Sequence, residues 1–222
     1  MKIEQKKKCW TSLACALVLG GVGINNVIAA VMIADPDPSG ILDSEAHLIL
    51  DFTASGGGFE RFDIAYSSND TLVMIDLFDI YAGQSVEFDI ATDGVSTGMD
   101  MSGLNPKFEV TTSGPERGYE VINYSFGNFL SRVDYNGVSG ALDESDFSPS
   151  WVLWVEDDTN PGNWTTAGSG IDQISVADGG WYAAVFSTGF PGSSPVVLIP
   201  EPEATGLVLL GLAALAYRRR RS

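Results

Sequence analysis

The sequence predicts a mainly β (α+β) protein. It reads as a single compact antiparallel β-rich domain with one short helix, flanked by an N-terminal signal helix and a C-terminal transmembrane helix. Three observations predict this. Short runs rich in β-branched and aromatic residues, many of them alternating, recur through the middle of the chain between clusters of Gly, Asn, Asp and Pro. With 25 Gly and 10 Pro in 222 residues, turns are many and long helices few. The two ends differ in kind from the middle, each joining an uncharged apolar run to a basic cluster. A hydrophobic content of 45% argues against global disorder.

The N-terminal element comes first. Lys2, Lys6, Lys7 and Lys8 precede an apolar stretch from Trp10 to Gly23, and Asn25-Asn26-Val27-Ile28-Ala29-Ala30 follows. A positive start, an apolar centre and small residues at the end form a secretory signal peptide over residues 1–30. Cleavage is expected after Ala29 or Ala30, with Ala34 as a third position; a permanent anchor is the alternative. Both cysteines, Cys9 and Cys15, lie inside this segment. The mature chain then has no disulfide, no thiolate nucleophile and no Cys-ligated zinc.

Residues 31–187 read as an acidic extracytoplasmic domain. Strands are expected near Ala46–Thr53, Phe59–Tyr66, Ser85–Ala91, Lys107–Thr112, Tyr119–Tyr124, Phe129–Tyr135, Trp151–Glu156, Gln173–Val176 and Trp181–Ser187. Turn signals stand at 55–58, 92–94, Asn136-Gly137, 160–163 and 178–180. Thr71–Tyr81 is the exception. As a strand it would put Asp76 and Asp79 on opposite faces among large apolar residues; as a helix both acids share a face. A helix is expected there. Residues 188–199 read as a linker.

Charge separates the domain from the ends. Only Arg61, Lys107, Arg117 and Arg132 lie between the terminal basic clusters, against every acid except Glu4, Glu201 and Glu203. Four cations against 26 carboxylates leave −22 on the central segment. Phosphate binding needs clustered Lys and Arg, so nucleic acid is excluded as a partner. The acidity suits solubility, adaptation to salt, or attraction of cations.

Chemistry is sparse. The one histidine, His47, sits inside a predicted strand and reads as a hydrogen-bonded structural residue. No Gly-x-Ser-x-Gly elbow, Walker loop or Rossmann loop occurs. Paired carboxylates for polysaccharide hydrolysis are possible in any chain this acidic. Calcium is the better ionic expectation, with oxygen ligands on predicted loops at Asp143 and Asp146 and at Asp157, Asp158 and Asn160. Neither loop has EF-hand spacing. Trp151 and Trp154 should face opposite sides of a strand, with at least one in the core. Trp164 is the expected exposed one. A cluster of exposed Trp faces would indicate glycan binding.

The last element is the most specific. Pro200-Glu201-Pro202 leads into an apolar run, Ala204 to Tyr217, which reads as a membrane helix with Leu207, Leu210, Leu212 and Leu215 among its residues. Arg218, Arg219, Arg220 and Arg221 follow. Fourteen helical residues reach only about 21 Å, short of the ~30 Å hydrocarbon core. Snorkelling arginines and local thinning make up the rest. The arginines stay cytoplasmic and the acidic domain lies outside, the topology the signal also demands.

This tripartite tail resembles the PEP-CTERM sorting signal. The resemblance covers residues 200–222, with the order, spacing and terminal position of the family. It implies recognition by exosortase, a membrane-embedded cysteine protease of the transpeptidase type. It also implies transient anchoring, removal of the tail near the Pro-Glu-Pro, and delivery to the outer surface. A second, fainter resemblance rests on Asn128–Gly137, Ser150–Val155, Trp164, Gly168-Ser169-Gly170 and Val176–Trp181. These are similar to transcobalamin-C-terminal-like modules of bacterial surface proteins. That likeness implies a helix at Thr71–Tyr81 packed on a sheet, and does not establish cobalamin binding.

The function expected is therefore non-catalytic: an exported component of the cell surface or extracellular polymeric matrix, with exosortase as processing partner, polysaccharide as its surroundings and no cofactor. A glycan- or calcium-binding surface module and a hydrolase are the alternatives.

Overall fold

The computed structural model describes residues 30–33, 41–85, 87–99, 105–112, 116–143, 145–156, 162–189 and 192–195. The signal helix and the C-terminal helix lie outside the described residues.

Among the described residues, eleven strands form two sheets. The first has six strands in the order β1 (Ala30–Ile33), β3 (Phe59–Tyr66), β2 (Ser44–Asp51), β11 (Trp181–Ser187), β9 (Ser150–Glu156) and β10 (Trp164–Thr166). The second is a five-stranded antiparallel meander: β4 (Val95–Met99), β5 (Pro106–Thr111), β6 (Arg117–Tyr124), β7 (Gly127–Tyr135) and β8 (Val138–Ala141). Antiparallel pairing dominates, with two parallel pairs, β1 to β3 and β11 to β2. The segment compared with the transcobalamin-like module is divided between the sheets, with β7 in one and β9 and β11 in the other.

The main core gathers alternate residues from both sheets. Ala46, Leu48 and Leu50 of β2, Phe62 and Ile64 of β3, and Tyr182, Ala184 and Phe186 of β11 meet Tyr119 and Val121 of β6 and Leu130 and Val133 of β7. Period-two alternation on the strands makes this possible, with a bulge at Ser131 bringing Leu130 and Val133 of β7 to the same side. Helix α1 (Met74–Tyr81) touches β1 and β3 of one sheet and β6 of the other. It is apolar on nearly every side, as a helix buried between layers must be. All its residues except Asp76 are buried.

Two expected strands are corrected. Ser85–Ala91 is irregular and then opens a short helix, α2 (Ile90–Asp93); Val86 lies outside the described residues. Asp89 decides this locally, since its side chain accepts the Ala91 N–H at 2.9 Å and caps the turn. Gln173–Val176 makes a single bridge, Ser175 to Val73. Pairing cannot spread because Val73 enters α1. The carbonyls of Ile174 and Ile171 instead take the N–H groups of Met74 and Ile75, at 2.7 and 3.0 Å. These are orphan donors at a helix start, and the loop satisfies them.

Four strands go beyond the expected set: β1, β4, β8 and β10. β8 follows the Asn136-Gly137 turn, whose φ values of 47° and 82° suit a tight hairpin. Among the described residues no helix is long and apolar enough to cross a membrane. Within the expected linker, the Thr188 carbonyl accepts from Ser148 Oγ at 2.7 Å, and Pro195 is buried.

Candidate functional site

The outer face of the six-stranded sheet, opposite the main core, carries the best-defined polar constellation. On β2, Glu45 and His47 alternate with the core residues Ala46 and Leu48 and so point outward. On β3, Arg61 and Asp63 do the same. Register sets His47 directly opposite Asp63 on one side and Trp181 on the other. The turn at Asp178-Gly179-Gly180 pins this end of β2. Asp178 Oδ1 accepts the Glu45 N–H at 2.9 Å, Gly179 N–H donates to the Glu45 carbonyl at 2.7 Å, and His47 N–H donates to the Gly180 carbonyl at 2.9 Å.

The side chains converge. His47 Nδ1 lies 2.7 Å from Asp63 Oδ1, which also accepts from Arg61 Nε at 2.8 Å. The Arg61 guanidinium sits 4.5 Å above the Trp181 ring, a cation–π contact. The His47 ring lies 4.2 Å from the same indole, centre to centre. His47 and Asp63 are mostly buried, while Glu45 is exposed and its carboxylate bonds to no described neighbour. One ligating atom each from Glu45, His47 and Asp63 lie within 4.8 Å of one another. Among the described residues this is the group of three such side chains able to hold a metal.

Beside it lies a second apolar cluster of Ile49, Val152, Trp154, Trp181, Ala183 and Val185, with Trp164 packed against it. Trp151 and Trp154 do face opposite sides, and both are buried. Trp151 Nε1 donates to the Gly140 carbonyl at 2.9 Å, but Trp154 Nε1 is buried with no partner among the described residues. Three tryptophans thus share the outer face. Only Trp164 is appreciably exposed, so the face is not an open stacking platform.

The carboxyl most displaced from ordinary behaviour is Asp79 on α1. Burial pushes Asp79 up to about 7, against the lowering effect of a hydrogen bond from Tyr119 and with added repulsion from Asp76 and Asp89. Burial also raises Asp76, which is held back by its bond from the Val73 N–H at 2.7 Å. Asp79 is only 1% exposed. Neither acid lines the hollow of about 360 Å³ beside Gln84, Phe88 and Glu109, nor that of about 300 Å³ beside Arg117 and Asp134.

The other expected residues fall as follows. Asp143 and Asp146 serve their own loop: Asp143 Oδ1 accepts from Ser145 Oγ and N–H at 2.6 and 2.9 Å, and Asp146 Oδ1 from the Ser148 N–H at 3.0 Å. The Ser145 bonds hold the Asp143 carboxyl below its usual range. Asp157, Asp158, Asn160 and all the sorting residues from Pro200 to Arg221 lie outside the described residues, as does Ala29. Ala30 is the first residue of β1. The grouping of Glu45, Arg61, Asp63 and Trp181 around His47 is not among the sequence expectations. Its signal is the alternation Glu45-x-His47 and Arg61-x-Asp63 in two expected strands. No family model, curated protein or solved structure matches the chain.

Proposed function

We propose that this is an exported, non-catalytic protein of the cell surface or extracellular polymeric matrix, sorted through its C-terminal tail by an exosortase. The observation that carries the reading is the tail itself: Pro200-Glu201-Pro202, the apolar run Ala204–Tyr217 and the cluster Arg218–Arg221, in that order at the terminus. One feature of the folded body bears on it. Among the described carboxylates with displaced proton affinity, Asp79 is buried in the core and Asp143 is bonded into a surface turn, and neither is poised for acid–base chemistry; Asp76 and Glu60 are partly buried, and desolvation raises both.

The test is expression of the full-length chain in a bacterium that has an exosortase, beside a variant with Pro200, Glu201 and Pro202 all changed to Ala. Intact-protein mass and location are measured for both. The expected wild-type product lacks the apolar run and the arginines and is found outside, while the variant stays in the membrane. Identical full-length, membrane-bound products would overturn the sorting reading.

A further inference from the structure

We propose that Glu45, His47 and Asp63 form a binding site for a divalent transition-metal ion of the zinc class on the outer face of the six-stranded sheet. The inference is independent of the sorting tail and rests on the folded body alone.

Ligand chemistry comes first. One imidazole and two carboxylates make a mixed nitrogen–oxygen set, at home with zinc and its neighbours rather than with calcium or magnesium, which prefer oxygen alone. Their ligating atoms already lie within 4.8 Å of one another. Zinc bonds of about 2.0–2.2 Å to each ask the His47–Asp63 pair, now 2.7 Å apart, to open slightly and the third ligand to close in. Glu45 can do so, being exposed.

Rigidity comes next. His47 is fixed by the Trp181 ring at 4.2 Å and by its own backbone bond to the Gly180 carbonyl. Asp63 is oriented by Arg61 Nε at 2.8 Å, and Arg61 in turn by its place over Trp181. These are the outer contacts that a metal ligand needs to hold its direction. The charge also fits. Two carboxylates and one guanidinium leave a single negative charge, within a body whose net −22 concentrates cations nearby. In the metal-bound form the ion takes the place of the hydrogen between His47 and Asp63. Three protein ligands leave a fourth position for water or an outside ligand, as in open zinc sites.

The chain has one histidine, which makes the test direct. The full-length chain, labelled with ¹⁵N-histidine and purified in detergent, gives imidazole signals from His47 alone. Zinc is added with millimolar calcium present to occupy dispersed surface carboxylates. A parallel titration against a chromophoric chelator measures affinity. The expected result is a discrete shift of the His47 signals at one equivalent. Affinity should fall at least about tenfold in Glu45→Gln and further in His47→Gln. Glu45→Gln alone decides the matter if His47→Gln fails to fold, because Glu45 is exposed. Unmoved imidazole signals would overturn the proposal. So would equal zinc affinity in wild type and Glu45→Gln, which would mean that scattered acids hold the ion.

Discussion

Tyr119 of β6 donates its phenolic hydrogen to the carboxylate of Asp79 on α1, and so joins the helix to the five-stranded sheet through the core. The bond falls between two groups that are almost wholly buried. Desolvation dominates the carboxyl and raises it from 3.8 to about 7, the phenol bond notwithstanding. The folded state therefore holds a proton between about pH 4 and pH 7 that the unfolded state has released. Stability from this group is full below its unfolded value and is lost as pH rises through about 7. Asp79→Asn keeps an acceptor for Tyr119 without a charge. The variant should gain over wild type from about pH 5 to about pH 8, with the gain levelling off above. Urea unfolding of both across that range checks this, and a gain that does not change with pH would sink it.

Arg132 is a second junction, built from charge. On β7 it bonds Asp134 through Nε at 2.9 Å, bonds Glu109 through a terminal nitrogen, and lies 3.8 Å from Glu120. Glu120 is nearly buried and also accepts from Ser131 and Thr97. Arg132→Gln leaves three acids close together with Lys107 as the nearby cation, 3.9 Å from Glu120. A loss of about 1–3 kcal/mol is expected, discounted from a fully buried pair because Arg132 is partly exposed. Salt screens like-charge repulsion, so the loss should shrink between about 0.1 and about 1 M sodium chloride. An equal loss at both would show that charge is not the cause.

Local pattern is legible where one face is buried and one is not. Phe59–Tyr66 and Trp181–Ser187 have the bounds expected of them, because their alternation matches the pleat. Thr71–Tyr81 reads as a helix and is helical from Met74. Ser85–Ala91 misleads because apolar residues there mimic a strand, while Asp89 caps a helical turn. β4 escapes notice because its residues are exposed on both faces and give no alternation. The site is half legible. Glu45 and His47 share a strand face by period alone, and the β2–β3 pair brings Asp63 opposite His47. Trp181 arrives by parallel pairing from far along the chain, and no local signal encodes such a register.

Trp151 and Trp154 offer a paired comparison. Both are buried, but only Trp151 has a described partner for its indole N–H. A buried unmade hydrogen bond costs about 1–3 kcal/mol. Trp154→Phe removes that cost while losing some packing, so its net effect should be within about 1 kcal/mol of zero. Trp151→Phe loses both packing and the bond to Gly140, and should be the more damaging by about 1–2 kcal/mol. Denaturant midpoints of the two variants check the order, and the reverse order would refute it.

Gly140 faces Trp151 so closely that a Cβ there would lie 2.6 Å from the indole and 3.0 Å from Phe186. Neither ring can yield, since one is held by its hydrogen bond and both are buried in the core. Gly140→Ala should cost about 1–3 kcal/mol through overpacking. Gly137 makes the control: a Cβ there meets nothing within 4 Å, and only its φ of +82° opposes substitution. Gly137→Ala should cost about 1 kcal/mol, and equal costs at the two sites would refute the steric account.

The proposed export gives the last prediction, through the N-terminus it would leave. β1 pairs in parallel with β3 residue by residue, from Ala30 opposite Phe62 to Ile33 opposite Ala65. Cleavage after Ala29 keeps all four residues of β1, and cleavage after Ala30 keeps three. Cleavage after Ala34 removes the strand and leaves β3 as a bare edge of the sheet, with backbone donors and acceptors open to pairing with another chain. On the proposed export route, N-terminal sequencing of the released product should begin at Ala30 or Val31. A chain starting at Asp35 should be less stable and should associate at concentrations where the longer form is monomeric, which sedimentation would reveal. Equal behaviour of the two forms would mean that β1 adds nothing to the sheet.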